Sequence, residues 1–467
     1  MNAGEDGTSR RRRSQTNASD EADGVTRRRS PRLHPQVHRR RSPRLHPQVH
    51  SEEGDGAARR RSTRRPSQIR ATGEGAGVIR RSGLRRGSFP AALASPLEDE
   101  NLLWEILLRL PRQPSSLVRA SAVCKQWRCA ATDPKFLRRF RLHHRKPPLL
   151  GLFHRRKDNI VFTPTMDGPD RIPPKRFDLQ LDGHNMVAVQ LLDCRHGRVL
   201  LTDKRRDELI LCDPIVGEQR IMAIPPEFVR KYFSGTVLCA AIDHDHLHES
   251  CHSSPFKVVL VSYLRGDNQL IVCVYSSETG VWGHIISTTP SYRLFDYSIP
   301  GLLVGNALYW LLHIIGAGIF KFDLDEHSLA VIKGPLVTND FSHGSCIIQA
   351  EDGALDFAIL SYPHLQIWQR NIICHGVATW VLWKTIDMRT ILGLPKQIRG
   401  NRTLIRNILG CHEDCDEILV SVDRGAYMVQ LKLMKSRKLC ENSYFTCYHS
   451  FKSFYPPGDF SSLVLIL

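Results

Sequence analysis

A strand–turn–strand unit recurs through the second part of the chain, and this repetition most constrains the fold. From Leu149 onward, short apolar runs alternate with polar turns, and no long amphipathic helix interrupts them. Such a pattern predicts an all-β domain. The unit reads LILCDPIVGEQRIMAI at 209–224, VCVYSSETGVWGHII at 272–286, IFKFDLDEHSLAVI at 319–332 and MVQLKLMKSRKL at 428–439.

The spacing of these units indicates a β-propeller. The turn residues Asp213, Ser276 and Asp323 lie 63 and 47 residues apart. Gln369, which we assign to the same position of the next unit, follows 46 residues later. Repeats of about 45–60 residues with four strands each are typical of propeller blades. Residues 149–460 therefore leave room for about six blades of roughly 50 residues each. An irregular β-sandwich, or two of them, is the alternative.

One stretch of this region is long and apolar enough to suggest a membrane span. Residues 297–320 carry no formal charge over 24 positions, a length that can cross a bilayer. However, Gly305 and Asn306 separate two apolar runs, and a Gly-Asn pair in that setting is a hairpin signal. We therefore predict two buried strands here rather than a transmembrane helix.

The first 88 residues have a different composition. They contain 22 Arg, no Lys, no aromatic residue and no Cys. The twelve residues RRRSPRLHPQVH at 27–38 are repeated at 39–50. A segment with so few apolar side chains cannot offset its chain entropy by burial, so residues 1–88 are predicted to be a disordered tail.

The same tail supports several interpretations of function. Its Arg clusters could act as nuclear-import signals, could neutralise nucleic-acid phosphates, or could have no dedicated partner. The N-terminus has no apolar run of the kind that marks a secretory signal. The 13 scattered Cys do not resemble a secreted disulfide framework. Reduced thiols in the nucleus or the cytoplasm are expected.

Residues 95–140 carry helical signals. Residues 95–98 read SPLE, a capping box with Pro at the first helical position. Apolar residues then follow helical spacing to Leu110, before Pro111. A second helix is predicted to begin at Ser115 or Ser116, where a hydroxyl can cap it, and its apolar stripe runs from Leu117 to Ala131. Asp133-Pro134 begins a third helix. Three short helices make a very small core, and residues 141–148 are predicted to link them to the β domain.

Three motifs in this helical region are characteristic together. They read EILLRLP at 105–111, PSSLVRASAVCKQWR at 114–128 and TDPKFLR at 132–138. The region closely resembles the F-box. The sequences HHRKPPLLGLF and GNALYWLL further on resemble plant F-box proteins with a C-terminal propeller-like domain. The predicted fold is therefore an α plus all-β multidomain chain: a disordered tail, a three-helix F-box and a propeller of about six blades.

The resemblance implies a function in protein ubiquitination. F-boxes bind the Skp adaptor, and through it the cullin, of Skp–cullin–F-box ubiquitin ligases. The chain would then be a non-catalytic subunit whose propeller binds an unknown protein substrate, without a cofactor and without a membrane. Apolar side chains matching the motif are the candidate adaptor-binding residues, either as a groove for partner helices or as core of the unit itself: Leu97, Leu102, Leu103, Ile106, Leu107, Leu110, Pro111, Leu117, Val118, Val123, Cys124 and Trp127.

Other functional classes receive weaker support. Residues 243–252 combine four His, one Cys and three carboxylates, which suits zinc, but a solvated loop is the preferred interpretation. Cys411 and Cys415 form an isolated C-x-x-x-C. No phosphate-binding, nucleophile-elbow or zinc-protease motif is present. The main alternative function is a nuclear, nucleic-acid-associated scaffold that acts through the tail; a propeller enzyme is a third.

Overall fold

The computed structural model describes twelve stretches of the chain. They are residues 99–240, 254–264, 266–289, 300–312, 318–335, 344–350, 352–372, 378–394, 407–411, 417–423, 425–441 and 448–455. The predictions for the tail 1–88, for the capping box at 95–98 and for the His-rich stretch 243–252 lie outside the described residues.

Four helices open the described part of the chain. They are α1 (Glu100–Leu108), α2 (Pro114–Ser121), α3 (Lys125–Thr132) and α4 (Pro134–His144). The prediction of three helices was wrong because the apolar stripe assigned to one helix continues across a break. At Cys124 the backbone is extended, and its Sγ accepts a hydrogen bond from the N–H of Trp127, so this residue caps a new helix. Because α4 runs to His144, the linker is also shorter than predicted.

The β domain consists of six sheets built from the described residues. Its strands are β1 (Leu149–Arg156), β2 (Asn159–Pro164), β3 (Val189–Arg195), β4 (Arg198–Asp203), β5 (Glu208–Asp213), β6 (Glu218–Ala223), β7 (Phe233–Cys239), β8 (Phe256–Leu264), β9 (Gln269–Ser276), β10 (Val281–Trp282), β11 (Ile286–Thr288), β12 (Leu302–Val304), β13 (Ala307–Leu312), β14 (Gly318–Asp323), β15 (Leu329–Lys333), β16 (Gly344–Gln349), β17 (Leu355–Ser361), β18 (His364–Ile372), β19 (Ala378–Asp387), β20 (Asn407–Cys411), β21 (Glu417–Val422), β22 (Gly425–Gln430), β23 (Lys435–Cys440) and β24 (Tyr448–Lys452). A short helix, α5 (Met388–Leu392), follows β19.

These sheets are the blades of a six-bladed propeller, as the spacing predicted. Five of them are antiparallel meanders in chain order: β3 to β6, β7 to β10 with β11 beside β9, β12 to β15, β16 to β19 and β20 to β23. The sixth has the order β2-β1-β24. The last strand therefore pairs with the first and closes the ring between the two ends of the β domain.

Hydrophobic cores fill the spaces between adjacent blades. In β5, Leu209 and Leu211 pack into the core shared with the β7–β10 blade. Ile210 and Cys212 of the same strand pack into the core shared with the closing blade. Because successive side chains of a strand point to opposite faces, a sheet buried on both faces needs an uninterrupted apolar run. This requirement explains why the strands lack the alternation of a half-exposed sheet.

The predicted repeat unit corresponds to the last two strands of a blade. Asp213 and Asp323 each end a third strand, and each Oδ1 accepts two backbone N–H groups of the following turn. Gln369 was wrongly assigned to this position, since it lies inside β18 and pairs with Asp356 and Val381. Because β18 continues to Ile372, that blade is longer than the spacing implied.

The uncharged stretch forms strands, as predicted from its hairpin signal. Gly305 and Asn306 join β12 to β13, with Gly305 at φ +59° and Val304 opposite Ala307. Leu308 and Trp310 are buried between blades. Among the described residues, no helix is long and apolar enough to cross a membrane.

Candidate functional site

Local capping sets the boundaries of the helical unit. Asp99 caps α1 by accepting the N–H of Asn101 at 2.8 Å, and Asp133 caps α4 through Lys135 at 2.7 Å. The start of α2 has no local side-chain cap, and Asp170 of the β domain accepts the N–H of Ser115 at 3.0 Å instead. The predicted hydroxyl cap at 115–116 was therefore wrong: a carboxylate 55 residues away satisfies this helix end.

The four helices enclose a small aromatic core. Phe136 is fully buried and makes an edge-to-face contact with Trp104 at 5.7 Å between ring centroids. Above this pair, Arg139 lies over the Trp104 ring and forms an ion pair with Glu105 at 2.9 Å. Both partners are half exposed, so the ion pair adds little stability and burial dominates.

The structure divides the twelve candidate adaptor-binding residues into three groups. Leu103, Leu107, Leu117 and Val118 are buried. A second group, half-buried at the edge of the unit, comprises Ile106, Leu110 and Trp127. The exposed members are Leu102, Pro111, Val123 and Cys124, and Leu97 lies outside the described residues.

The exposed members place apolar surface on the outside of the unit. Leu102 on α1 is 41% exposed, and Val123, just before α3, is 63% exposed. Since α1 contacts α3, this surface belongs to adjacent elements of one small unit. Leu103 and Leu107 are core of the unit, whereas Cys124 is exposed.

Contacts with the propeller anchor the helical unit. Phe454, which follows β24, is buried in the helical core, with its ring 6.3 Å from that of Phe140. Reciprocally, Val118 of α2 packs into the core of the closing blade with Tyr455. Arg112 donates a hydrogen bond to the carbonyl of Lys146 in the linker. The segment that closes the propeller thus also completes the helical core, a role that the sequence did not indicate.

A buried polar network joins the inner strands of three blades. The Oδ2 of Asp193 on β3 accepts the N–H of Val237 on β7 at 2.9 Å. Arg195 donates to the carbonyl of Gly301 at 2.8 Å, and the Gly301 N–H donates to Thr236 Oγ1 at 3.3 Å. Since these bonds are directed at backbone groups, the network acts as a clamp between blades.

His449 on β24 lies beside this network. Burial and the positive charge of Arg195 lower the pKa of His449 to about 3, so its imidazole is neutral at physiological pH. On β1, burial lowers the pKa of His154 to about 4, and its Nε2 lies 2.8 Å from Thr163 Oγ1. An imidazole whose pKa lies so far below 7 is poorly suited to proton transfer at pH 7.

Two comparisons with protein families follow the same division of the chain. A model described as F-box-like matches residues 100–143. A second model, described as F-box protein AT5G49610-like, beta-propeller, matches residues 190–457, which is more than half of the chain. The chain belongs to this F-box protein family. Helices α1 to α4 are its F-box, and the two matched regions together span most of the residues that the structure describes.

Several proteins that are distant in sequence are similar to this F-box protein. A curated Arabidopsis thaliana protein named as an F-box protein, At3g17490, is 21% identical over 339 residues, covering 68% of this chain and 83% of its own length. Among solved structures, a nidogen/laminin complex aligns with a TM-score of 0.36 and 11% identity over 65% of this chain and 98% of that one. The WD40 domain of fission-yeast SCAP gives 0.28 and 14% over 56% and 55%. These structural likenesses are too low to carry an argument.

The isolated C-x-x-x-C pair lies only partly within the described residues of this F-box protein. Cys411 ends β20, and its Sγ lies 3.0 Å from the carbonyl of Ile347, while Cys415 lies outside the described residues. The hydrogen bond between Cys346 and Cys411, together with burial, raises the pKa of Cys346. Within the described stretches, no disulfide joins cysteines and no group of three metal-ligating side chains converges.

Proposed function

We propose that this F-box protein is the substrate-recognition subunit of a Skp–cullin–F-box ubiquitin ligase. The F-box docks on the Skp adaptor, and the propeller binds the protein to be ubiquitinated. In this role the chain holds its target near a ubiquitin-charged enzyme and contributes no catalytic residue, so the mechanism is proximity. The nucleus and the cytoplasm are the expected compartments.

The observation that carries this proposal is the combination of an apolar F-box surface with a fixed propeller. The exposed Leu102 and Val123 offer the apolar side chains that an adaptor helix would cover. Phe454 and Val118 meanwhile hold the F-box against the closing blade. A receptor that joins two partners needs such a connection, because a fixed geometry determines where the target lies relative to the rest of the ligase.

The burial pattern supports different roles for the eleven candidates that the structure describes. Leu103, Leu107 and Leu117 form the F-box core and support the surface from below. Val118 faces the closing blade rather than solvent. We infer that the adaptor contacts the exposed and half-buried members: Leu102, Ile106, Leu110, Pro111, Val123, Cys124 and Trp127.

Co-purification with a Skp adaptor tests this assignment. Leu102→Asp and Val123→Asp place charges on the exposed surface, where folding is least affected. We expect the double variant to lose the adaptor, since a carboxylate buried without a partner is strongly penalised. The matched control is Val216→Asp with Val281→Asp, two exposed propeller positions, and it should bind as the parent does.

Circular dichroism of each variant separates lost binding from lost folding. Adaptor binding by a folded Leu102→Asp, Val123→Asp variant at the parent level would contradict the assigned surface. Absence of adaptor binding by the parent chain itself would contradict the proposed function.

A further inference from the structure

Strand direction places two turns and one loop on the propeller face opposite the F-box. The F-box precedes β1, and β1 runs away from it for eight residues, about 25 Å, to Arg156. In the closing blade β1 occupies the position that β4 has in the next blade, so the turns at 157–158 and 204–207 lie on the same face. Residues 230–232 enter β7, an inner strand that starts on this face.

Positively charged side chains gather at these turns. Together they form a patch, here called the basic rim, that consists of Arg155, Lys204, Arg205, Arg206, Arg230, Lys231 and the ring of Tyr232. All are exposed except Arg155, which is half-buried. Three blades contribute them, and hydrophobic cores join the closing blade to the β3–β6 blade and that blade to the β7–β10 blade, so the segments that carry the charges are fixed relative to one another.

Specific contacts hold the basic rim in place. Arg155 donates to the carbonyls of Met186 and Val187 at 3.3 and 3.1 Å. Lys204 Nζ lies 4.7 Å from the ring centroid of Tyr232, which joins the 204–207 turn to the 230–232 loop. Arg206 donates to the carbonyl of Gly183. Since backbone carbonyls are neutral, these bonds orient the cations without cancelling their charge.

The turn at 204–207 has one carboxylate at its base, Asp203, which is largely committed elsewhere, and one within it, Asp207, which is half-buried. Asp203 is buried, with Oδ2 2.8 Å from His184 Nδ1 and 4.0 Å from Arg206 Nε. Burial by itself would raise the pKa of Asp203, but the bonds from His184 and from the N–H groups of Arg205 and Arg206 lower it. For Lys204, desolvation by the surrounding protein, followed by the charge of Arg155, lowers the pKa.

We propose that the basic rim binds an acidic peptide segment of the target protein. This inference rests on the proposed function, which makes the propeller's ligand a protein. Crowded cations gain most from an anion, since it relieves their mutual repulsion. Nucleic acid is less suited to the patch because Tyr232 is the one aromatic ring of the basic rim and Lys204 already covers one of its faces. Glutamate runs and phosphoserines present the same anionic chemistry.

Photo-crosslinking to the full chain tests this proposal. Four probes, each ten units long and carrying a photoreactive group, are compared. Three are peptides, namely a glutamate-rich peptide, a phosphoserine peptide and its unphosphorylated counterpart, and the fourth is single-stranded DNA. We expect at least one acidic peptide to crosslink within 204–207 or 230–232, as mapped by mass spectrometry. Mapping is needed because the Arg-rich tail will also attract anions. The acidic peptide that crosslinks there identifies the anion.

Charge reversal supplies the matched comparison. Lys204→Glu with Lys231→Glu should reduce crosslinking at the rim about tenfold. Lys333→Glu with Lys435→Glu changes the net charge equally at exposed positions of other blades and should leave crosslinking within about twofold. An equal loss of crosslinking in both double variants, or crosslinking of DNA alone, would overturn the proposal.

Adaptor binding of the same variants separates this inference from the proposed function. The basic rim lies on the opposite face from the F-box, so both pairs should co-purify with the Skp adaptor as the parent does. Retained adaptor binding without any acidic crosslink at the rim would refute the peptide site alone. Absence of adaptor binding by the parent chain would refute the proposed function.

Discussion

Replacing Phe454 by Ala should loosen the F-box although this residue lies more than 300 positions away from α4. The side chain is 6% exposed and packs edge-to-face against Phe140, with 76° between the ring planes. Removing a buried Phe costs about 3–5 kcal/mol through lost burial and the remaining cavity. We expect about 3 kcal/mol, since the short segment after β24 can partly collapse into the space. Urea unfolding measures this loss, and hydrogen exchange of 100–144 locates it.

Leu142→Ala is the control for this prediction. Leu142 lies on α4 but is 40% exposed, so its replacement should cost about 0.5 kcal/mol or less. Exchange should accelerate in α1 to α4 of Phe454→Ala and stay unchanged in β7 to β9, because the inter-blade cores do not contain Phe454. A loss below about 1 kcal/mol, or faster exchange spread evenly over the propeller, would refute the reasoning that this residue belongs to the F-box core.

Two further predictions concern the propeller. Gly344→Ala should destabilise the protein by about 1–3 kcal/mol, because a Cβ there would lie 2.4 Å from the backbone N of Ile408 on the next inner strand. A thermal melt measures this loss. In the same assay the control Gly266→Ala, which has open space around it, should be nearly neutral. Stability should also fall on acidification. A histidine in the unfolded chain has a pKa near 6.5, whereas the pKa values of His154 and His449 in the folded protein are about 4 and 3. Because the unfolded chain takes up protons first, the stability that is present above about pH 6.5 is lost below it, by about 2 kcal/mol per histidine at pH 5. Urea midpoints at pH 7.5 and 5 measure this loss, and His449→Gln should lose less between them; an equal loss would contradict the assigned role of His449.

The connection between the F-box and the propeller has a consequence for the proposed ligase. Because the closing strand β24 leads directly into Phe454, damage to the propeller closure reaches the F-box core. Variants that weaken the pairing of β1 with β24 should therefore impair adaptor binding and target binding together. Receptors with a flexible linker would not show this coupling.

The sequence predicted the general architecture well because its signals are local. Strands buried on both faces must be continuously apolar, and the turns between them need residues such as Asp213 that bond to their own backbone. Regular spacing of these elements was enough to indicate about six blades. The F-box was recognisable for a similar reason, since its motifs occupy one contiguous stretch, residues 105–138.

Local signals failed where distant residues decide the outcome. The stripe from Leu117 to Ala131 looked like one helix because α2 and α3 both turn their apolar faces toward the same core. The helix start at Ser115 looked self-capped, but Asp170 supplies the cap. Gln369 was assigned to a turn from the blade spacing, but it lies inside β18, because the length of that strand cannot be read from neighbouring residues.

Sequence by itself therefore determined the F-box, the all-β domain and the approximate blade number, since each follows from periodicity, turn chemistry or contiguous motifs. Tertiary structure alone decided which of the apolar candidates are core and which are surface, because burial depends on what packs from elsewhere: Leu103 and Leu102 are adjacent, yet one is fully buried and the other 41% exposed. It also brought Phe454 to Phe140 and Lys204 to Tyr232. Ring closure of the propeller is the physical reason that Phe454 meets Phe140, whereas packing between two adjacent blades brings Lys204 to Tyr232.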